Sequence, residues 1–202
     1  MEEKEILIKV GDLFFRFGIK SMTMDEIARQ LGISKKTLYQ FVENKNDLVV
    51  KVMQMKLKEE KECIYQLYNT GGNPIDELME ITQFVRTNMK EIHPSVLFDL
   101  KKYHADAWQL MSEHKETFIY SSIMHNLKEG VKGGLYRENL VPEIIAKLYL
   151  GMVNVVIDKA NFPDIDYSQA ELHEQMIRYH IRGIASEKGR SYLKEKFKAN
   201  NI

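Results

Sequence analysis

Three features of the 202-residue sequence predict an all-α fold. Apolar residues recur at three- and four-residue spacing along most of the chain. No segment alternates convincingly at period two. The gaps between the apolar runs carry caps, glycines and first-turn prolines, the punctuation of helices. There is no internal repeat and no low-complexity segment.

Taken in order, Ile6, Val10, Leu13, Phe14 and Phe17 mark an amphipathic first helix that Gly18 ends. Thr23 opens the second, and Glu26 three positions later completes the sequence pattern of a capping box. Asp25 and Glu26 also set negative charge at the positive end of the helix dipole. Ile27, Ala28 and Leu31 share one face, with small Ala28 allowing close approach. Gly32 stops this helix, Ile33 plugs the turn, and Ser34 caps a short third helix expected over 35–42. On that helix Leu38 and Val42 face inward, leaving Lys35, Lys36, Thr37, Tyr39 and Gln40 outward. Residues 44–47 form a third cap, and an unbroken helical pattern then runs on to 70. Its length of about 37 Å makes it a rod able to belong to a head and a body at once. The charged stretch 56–62 reads as a solvated face laced by i, i+4 pairs.

Gly71-Gly72-Asn73-Pro74 is the clearest loop, and without a preceding strand or a following Gly-Lys-Ser/Thr it is no phosphate loop. Further helices are expected over 75–90, over 94–111 with Pro94 in the first turn, and over 113–131 ended by Gly133-Gly134. Two more are expected over 143–160 after Pro142 and over 168–186, separated by Asn161-Phe162-Pro163-Asp164. Gly189 is expected to divide the last of these from a polar helix over 190–199.

Residues 23–48 carry the chemistry. Two lysines at a helix start oppose its dipole, but they suit an N-terminus aimed at phosphates or guanine edges in the major groove. Charge supports this locally only. Lys+Arg and Asp+Glu both number 29, whereas residues 16–56 hold eight cations and four anions. A helix-turn-helix that contacts double-stranded DNA is therefore expected.

The segment around it, with Gly18, Thr23, Ile27, Ala28, Gly32, Ser34, Thr37, Leu38, Tyr39, Lys45 and Leu48, resembles the N-terminal signature of the tetracycline-repressor (TetR) family of bacterial regulators. The likeness covers about the first 55 residues. It extends past a generic helix-turn-helix to the Leu38-Tyr39 pair and the lysine six positions after Tyr39. It implies a DNA-binding domain over 1–46 and a body over 47–202 that dimerises and binds a small-molecule effector. The implied function is transcriptional regulation, as a repressor released by that effector through movement of the long helix. The alternative is a body controlled by a protein partner. Lys35, Lys36 and Gln40 are the expected base readers, with Thr37 and Tyr39 on phosphates. Ser34 belongs to the same contact surface, and the likeness adds Thr23 and Lys45 on the backbone. Phe41 departs from the family, where Tyr or His is common; Phe offers only apolar contact to a sugar or thymine methyl, or packs inward.

The last two long helices carry apolar residues nearly all round, which buries a helix on more than one side. A two-fold contact between two copies would use Ile145, Leu148, Tyr149, Met152, Val156, Leu172, Met176 and Tyr179, with Gly151 allowing close approach. A monomer core could use the same residues. Reading a palindromic operator requires two heads about one DNA turn apart, which favours the dimer.

Enzyme chemistry is not expected. The six histidines form no HExxH pair, no GxSxG occurs, and Cys63 stands alone, so neither a disulfide nor a CxxC site can form. His104 and His114, ten apart, could share a helix face. No cofactor or metal is expected. The charged start lacks a signal peptide's apolar core, and the most apolar run, 148–157, is about half a membrane span. A cytoplasmic protein with no membrane partner is expected. Phe84, Met89, Phe98, Tyr103, Trp108, Met111, Phe118, Tyr120 and Met124, with Arg86, suit a ligand pocket or an ordinary core, so the pocket's lining stays open.

Overall fold

The computed structural model describes residues 2–69, 71–89, 93, 95–158, 161–162 and 167–199. Pro94, Pro163, Asp164 and the expected helix ends at Lys90 and Ala160 lie outside them, as does the side chain of Met89.

The described residues are helical: α1 (Glu3–Phe17), α2 (Met24–Leu31), α3 (Lys35–Leu38), α4 (Lys45–Asn69), α5 (Pro74–Met89), α6 (Ser95–Tyr103), α7 (Ala105–His114), a π-helical segment (Lys115–Ile119), α8 (Tyr120–Lys132), α9 (Pro142–Ile157), α10 (Gln169–Ile184) and α11 (Glu187–Ala199). Among them the one pairing of extended backbone is an isolated bridge between Tyr136 and Ala185. The all-α expectation holds.

Packing divides the chain into two compact units, one of residues 1–62 and 91–114 and the other of 63–90 and 115–202. In the first, Ile6, Val10 and Phe14 of α1 meet Ile27, Ala28 and Leu31 of α2, Leu38 of α3, and Leu48, Val49 and Val52 of α4. Val96, Leu100 and Ala107 of α6 and α7 complete this core. Short helices such as α2 and α3 persist because their apolar faces are buried here, not through propensity.

In the second unit α5 and α9 lie against α10, and α8 packs on both α5 and α9. Its core joins Ile75, Leu78, Leu127, Tyr136, Tyr149, Ile177 and Ile181. At its centre a buried polar network replaces apolar packing. Tyr136 Oη shares its one proton between Asn126 Oδ1 (2.9 Å) and Pro74 O (3.0 Å), while Asn126 Nδ2 donates to Glu77 Oε2 (2.9 Å).

Four local expectations are corrected. Regular α-helix in α3 closes at Leu38, four residues before the expected end. Gln40 and Phe41 then bond back three residues, to Thr37 O and Leu38 O (both 3.1 Å), a tightening that still buries Val42. The expected helix over 94–111 breaks at His104, whose buried ring bonds Asn46 Oδ1 of α4 (3.0 Å), and no break falls at residue 112. The Thr23 capping box is half made: Thr23 Oγ1 accepts from Glu26 N (3.1 Å), but the Glu26 carboxylate binds Arg29 and Gln30. Gly189 lies within α11; a Cβ there would stand 2.1 Å from Leu135 O, so its role is close approach, and the chain turns instead at Ala185 and Ser186.

His180 gives the second unit a pH dependence. Its ring stacks edge-on against Tyr149 (5.0 Å), and burial pushes its pKa down to about 4. This lies below the unfolded value of about 6.5. The stability it reflects is therefore complete above pH 6.5 and is lost as pH falls from there toward 4, to a total of about 3 kcal/mol. Urea unfolding at pH 7.5 and pH 4 should show this loss, and His180→Leu should flatten that part of the profile.

Candidate nucleic-acid interface

The surface expected to meet DNA is built by three successive caps. Gly32 takes the left-handed conformation (φ 66°) that ends α2, and its N–H together with that of Ile33 closes the turn on Ala28 O and Arg29 O. Ser34 Oγ then accepts from Thr37 N (3.0 Å) and lies 2.7 Å from Thr37 Oγ1. Asn44 Oδ1 accepts from Asp47 N (3.0 Å), and Asp47 reaches back to Glu43 N (2.9 Å), starting α4. These bonds fix the backbone from which the outward side chains project.

Thr23, Ser34, Lys35, Lys36, Tyr39 and Gln40 are exposed, and Thr37 is half-buried. Leu38 between them is fully buried and anchors the helix in the first unit's core. Thr23 accepts a bond from its own helix, so its hydroxyl proton is still free to donate outward. The two lysines differ. Lys35 Nζ is paired with Asp25 of α2 (2.9 Å), a hydrogen bond that raises its pKa and holds it cationic. Lys36 has no acidic partner among the described residues. It is the more available charge.

Two expected contacts sit differently. Phe41 is half-buried and packs on the first unit's core, as the inward alternative anticipates. Lys45 is also half-buried: its ammonium donates to Ile19 O (2.6 Å) and Lys20 O (3.4 Å), and burial lowers its pKa. It braces the α1–α2 turn with two of the ammonium's three N–H groups, which leaves one for a phosphate.

The same turn is held from a direction that local sequence does not reveal. Gly18 has φ 84°, and a Cβ on it would stand 2.5 Å from Ser95 Oγ of α6. Asp99, 3 % exposed, accepts from Lys20 N (2.9 Å) and from Ser95 Oγ (3.2 Å). Asn46 bonds both His104 and Asp106, and His114 Nε2 lies 2.9 Å from Glu60 Oε2. His104 and His114 thus do share a face, turned to α4. The available signal for Asp99 was an acid at core spacing between Val96 and Leu100.

Residues 12–52 match the family model described as bacterial regulatory proteins, tetR family. YvaF of Bacillus subtilis (strain 168), an HTH-type transcriptional regulator, is 26% identical over 188 residues, which covers 92% of this chain and 96% of YvaF. Its N-terminal segment thus matches the tetR family, and the chain is similar along most of its length to an HTH-type transcriptional regulator. Solved structures share its fold. A transcriptional regulator from Saccharomonospora viridis in complex with choline aligns at TM-score 0.73, with 14% identity over 92% of this chain and 98% of that one. The ketosteroid regulator KstR2 of Mycobacterium tuberculosis aligns at 0.60, with 15% identity over 92% and 95%.

The eight residues expected at a dimer interface separate by burial. Tyr149, Val156 and Met176 are buried within the second unit, Ile145, Met152 and Leu172 are half-buried, and Leu148 and Tyr179 are 58% and 74% exposed. Val141, Ile144, Leu148 and Val155 form an exposed apolar stripe along α9 at helical spacing. Among the described residues, nothing stands within 4 Å of where a Cβ on Gly151 would lie. The residues gathered as pocket candidates are divided between the two units. Phe98 and Tyr103 are exposed in the first unit, whereas Phe118 is buried in the second. No described helix is long and apolar enough to cross a membrane, and no described group of three or more His, Cys, Asp or Glu could hold a metal ion.

Proposed function

We propose that this protein is a cytoplasmic, homodimeric repressor that binds a palindromic operator in double-stranded DNA and is released by a small-molecule effector. The observation that carries the DNA reading is the capped N-terminus of α3, which projects Lys35, Lys36, Thr37, Tyr39 and Gln40 from a backbone fixed at both ends. Residues 1–46 supply the DNA contacts in this reading, with Thr23 and Ser34 beside them, and residues 47–202 supply dimerisation and effector binding. The packing unit that supports those contacts is larger, because α6 braces the turn before Thr23 and α7 bonds the start of α4.

The exposed stripe on α9, with Tyr179 of α10, supports a second copy as partner. Four large apolar side chains on one helix face, flanked by Gly151, suit a self-complementary contact. An effector in the body draws support from the relatives, one solved with choline and another named for ketosteroids. Such a ligand would act through its different affinity for the DNA-bound and released states.

Leu148→Glu tests the paired arrangement. Placing a charge in the stripe should yield monomers by sedimentation with unchanged helical content, and should cost most of the operator affinity. Monomers that bind operator as tightly as wild type would overturn the reading.

A further inference from the structure

The second unit contains a cleft of about 720 Å³ at the far end of α4, bounded by the Gly72–Pro74 loop, the start of α5, the end of α8 and α11. Its volume suits a small organic molecule. Glu77 lies among its lining residues and is only 8% exposed. Among the described residues the carboxylate's one hydrogen bond is from the neutral amide of Asn126, and no Lys, Arg or His pairs with it. A buried charge without a counter-charge is costly, and an ion that completes the pair recovers part of that cost.

The two lysines of the cleft differ from Glu77 in that one has a counter-charge and the other is exposed to solvent. Lys132 pairs with Glu129 (3.6 Å), and Lys188 Nζ donates to Gly133 O (2.9 Å). At the neighbouring position, Asp76 has a cation from the chain itself: Lys196 pairs with it, and Tyr192 Oη donates to it (2.6 Å). Glu77, one residue further along α5, has no such lysine. The walls include Tyr68, packed at a tilt of 56° against His125 (4.9 Å between ring centres), and Tyr192. Aromatic faces attract organic cations. A metal ion would instead need several oxygen or nitrogen donors, and no described cluster provides them. The negative field is felt by its neighbours: burial first, and Glu77 in addition, push the Tyr136 phenol upward, and both act in the same direction on Tyr68.

We propose that this cleft binds an organic monocation, an amine or quaternary ammonium with a small apolar body, with Glu77 as its counter-ion and Tyr68 and Tyr192 as its walls. The proposal rests on the effector reading above only for its regulatory consequence, since binding is measured without DNA.

The test titrates full-length protein with benzylamine, protonated at pH 7, and with neutral benzyl alcohol. Wild type should prefer the ammonium by about tenfold or more, the range of a hydrogen bond to a charged group. Glu77→Gln, which keeps an acceptor for Asn126, should bind the two alike. The His125 ring resonances should shift with benzylamine in wild type and move little with the alcohol at equal concentration, a readout that needs no variant. Absence of an ammonium preference in wild type, its persistence in Glu77→Gln, or unmoved His125 resonances would each overturn the site. Operator affinity measured without amine reports on the regulator reading separately, so either can fail while the other stands.

Discussion

Replacing Lys35 and Lys36 together by alanine should weaken operator binding at fixed salt by about 30-fold or more, since base and phosphate contacts of this kind each contribute several-fold to a hundredfold. The dependence of log affinity on log salt should become shallower by about two if both lysines neutralise phosphates, and by less if one reads a base. The single changes should be unequal. Lys36 has no acidic partner among the described residues, whereas Lys35 must give up Asp25 to reach DNA. Lys36→Ala should therefore account for most of the loss. Both side chains are exposed and leave the core untouched, so thermal unfolding should stay as in wild type. Fluorescence anisotropy on one labelled duplex at several salt concentrations measures all of this. Unchanged affinity in the double variant would remove α3 from the interface.

The largest expected loss of stability is at Gly130. A Cβ on this residue would stand 2.0 Å from the Tyr136 ring, closer than any real contact. The ring cannot yield easily, because Tyr136 is 1% exposed and its hydroxyl bonds both Pro74 O and Asn126 Oδ1. Relief would require moving α8 from the link that carries Tyr136, or breaking the network around Asn126. Gly130→Ala should thus cost about 3 kcal/mol or more, at or beyond the upper end of ordinary overpacking. Urea unfolding followed by circular dichroism measures it. A variant as stable as wild type would mean that Tyr136 does not occupy the position described.

The helix-turn-helix is legible in the sequence because its determinants are local. Thr23, Gly32, Ser34 and Asn44 act within three or four residues of themselves, so caps and turn can be read without tertiary information. Where α3 loses regular helix was not legible. The tightened turn at Gln40 and Phe41 satisfies packing of Phe41 and Val42 on a core assembled from five other helices. The break at His104 depends on Asn46, 58 positions away, and so no local pattern announced it. Glycines were readable as punctuation but not as spacers. Gly130 and Gly189 both sit inside helices, where the sequence shows only a weak helix former and the structure shows a ring and a carbonyl occupying the missing side chain's place. The cleft around Glu77 was illegible for the same reason: Tyr68, Glu77, His125 and Tyr192 come from four helices. In the sequence Glu77 looks like an ordinary first-turn acid of α5.

The central claim is that the capped segment around α3 reads DNA, and reads it as one of a pair. Selection of bound duplexes from a random pool by the purified full-length protein tests it most directly. The account predicts an enriched inverted repeat, with half-sites about one helical turn or a multiple of it apart, and two protomers on each duplex. Lys35→Ala, Lys36→Ala protein should fail to enrich it. A pool that stays random, or one that converges on a single half-site bound by one protomer, would contradict the account.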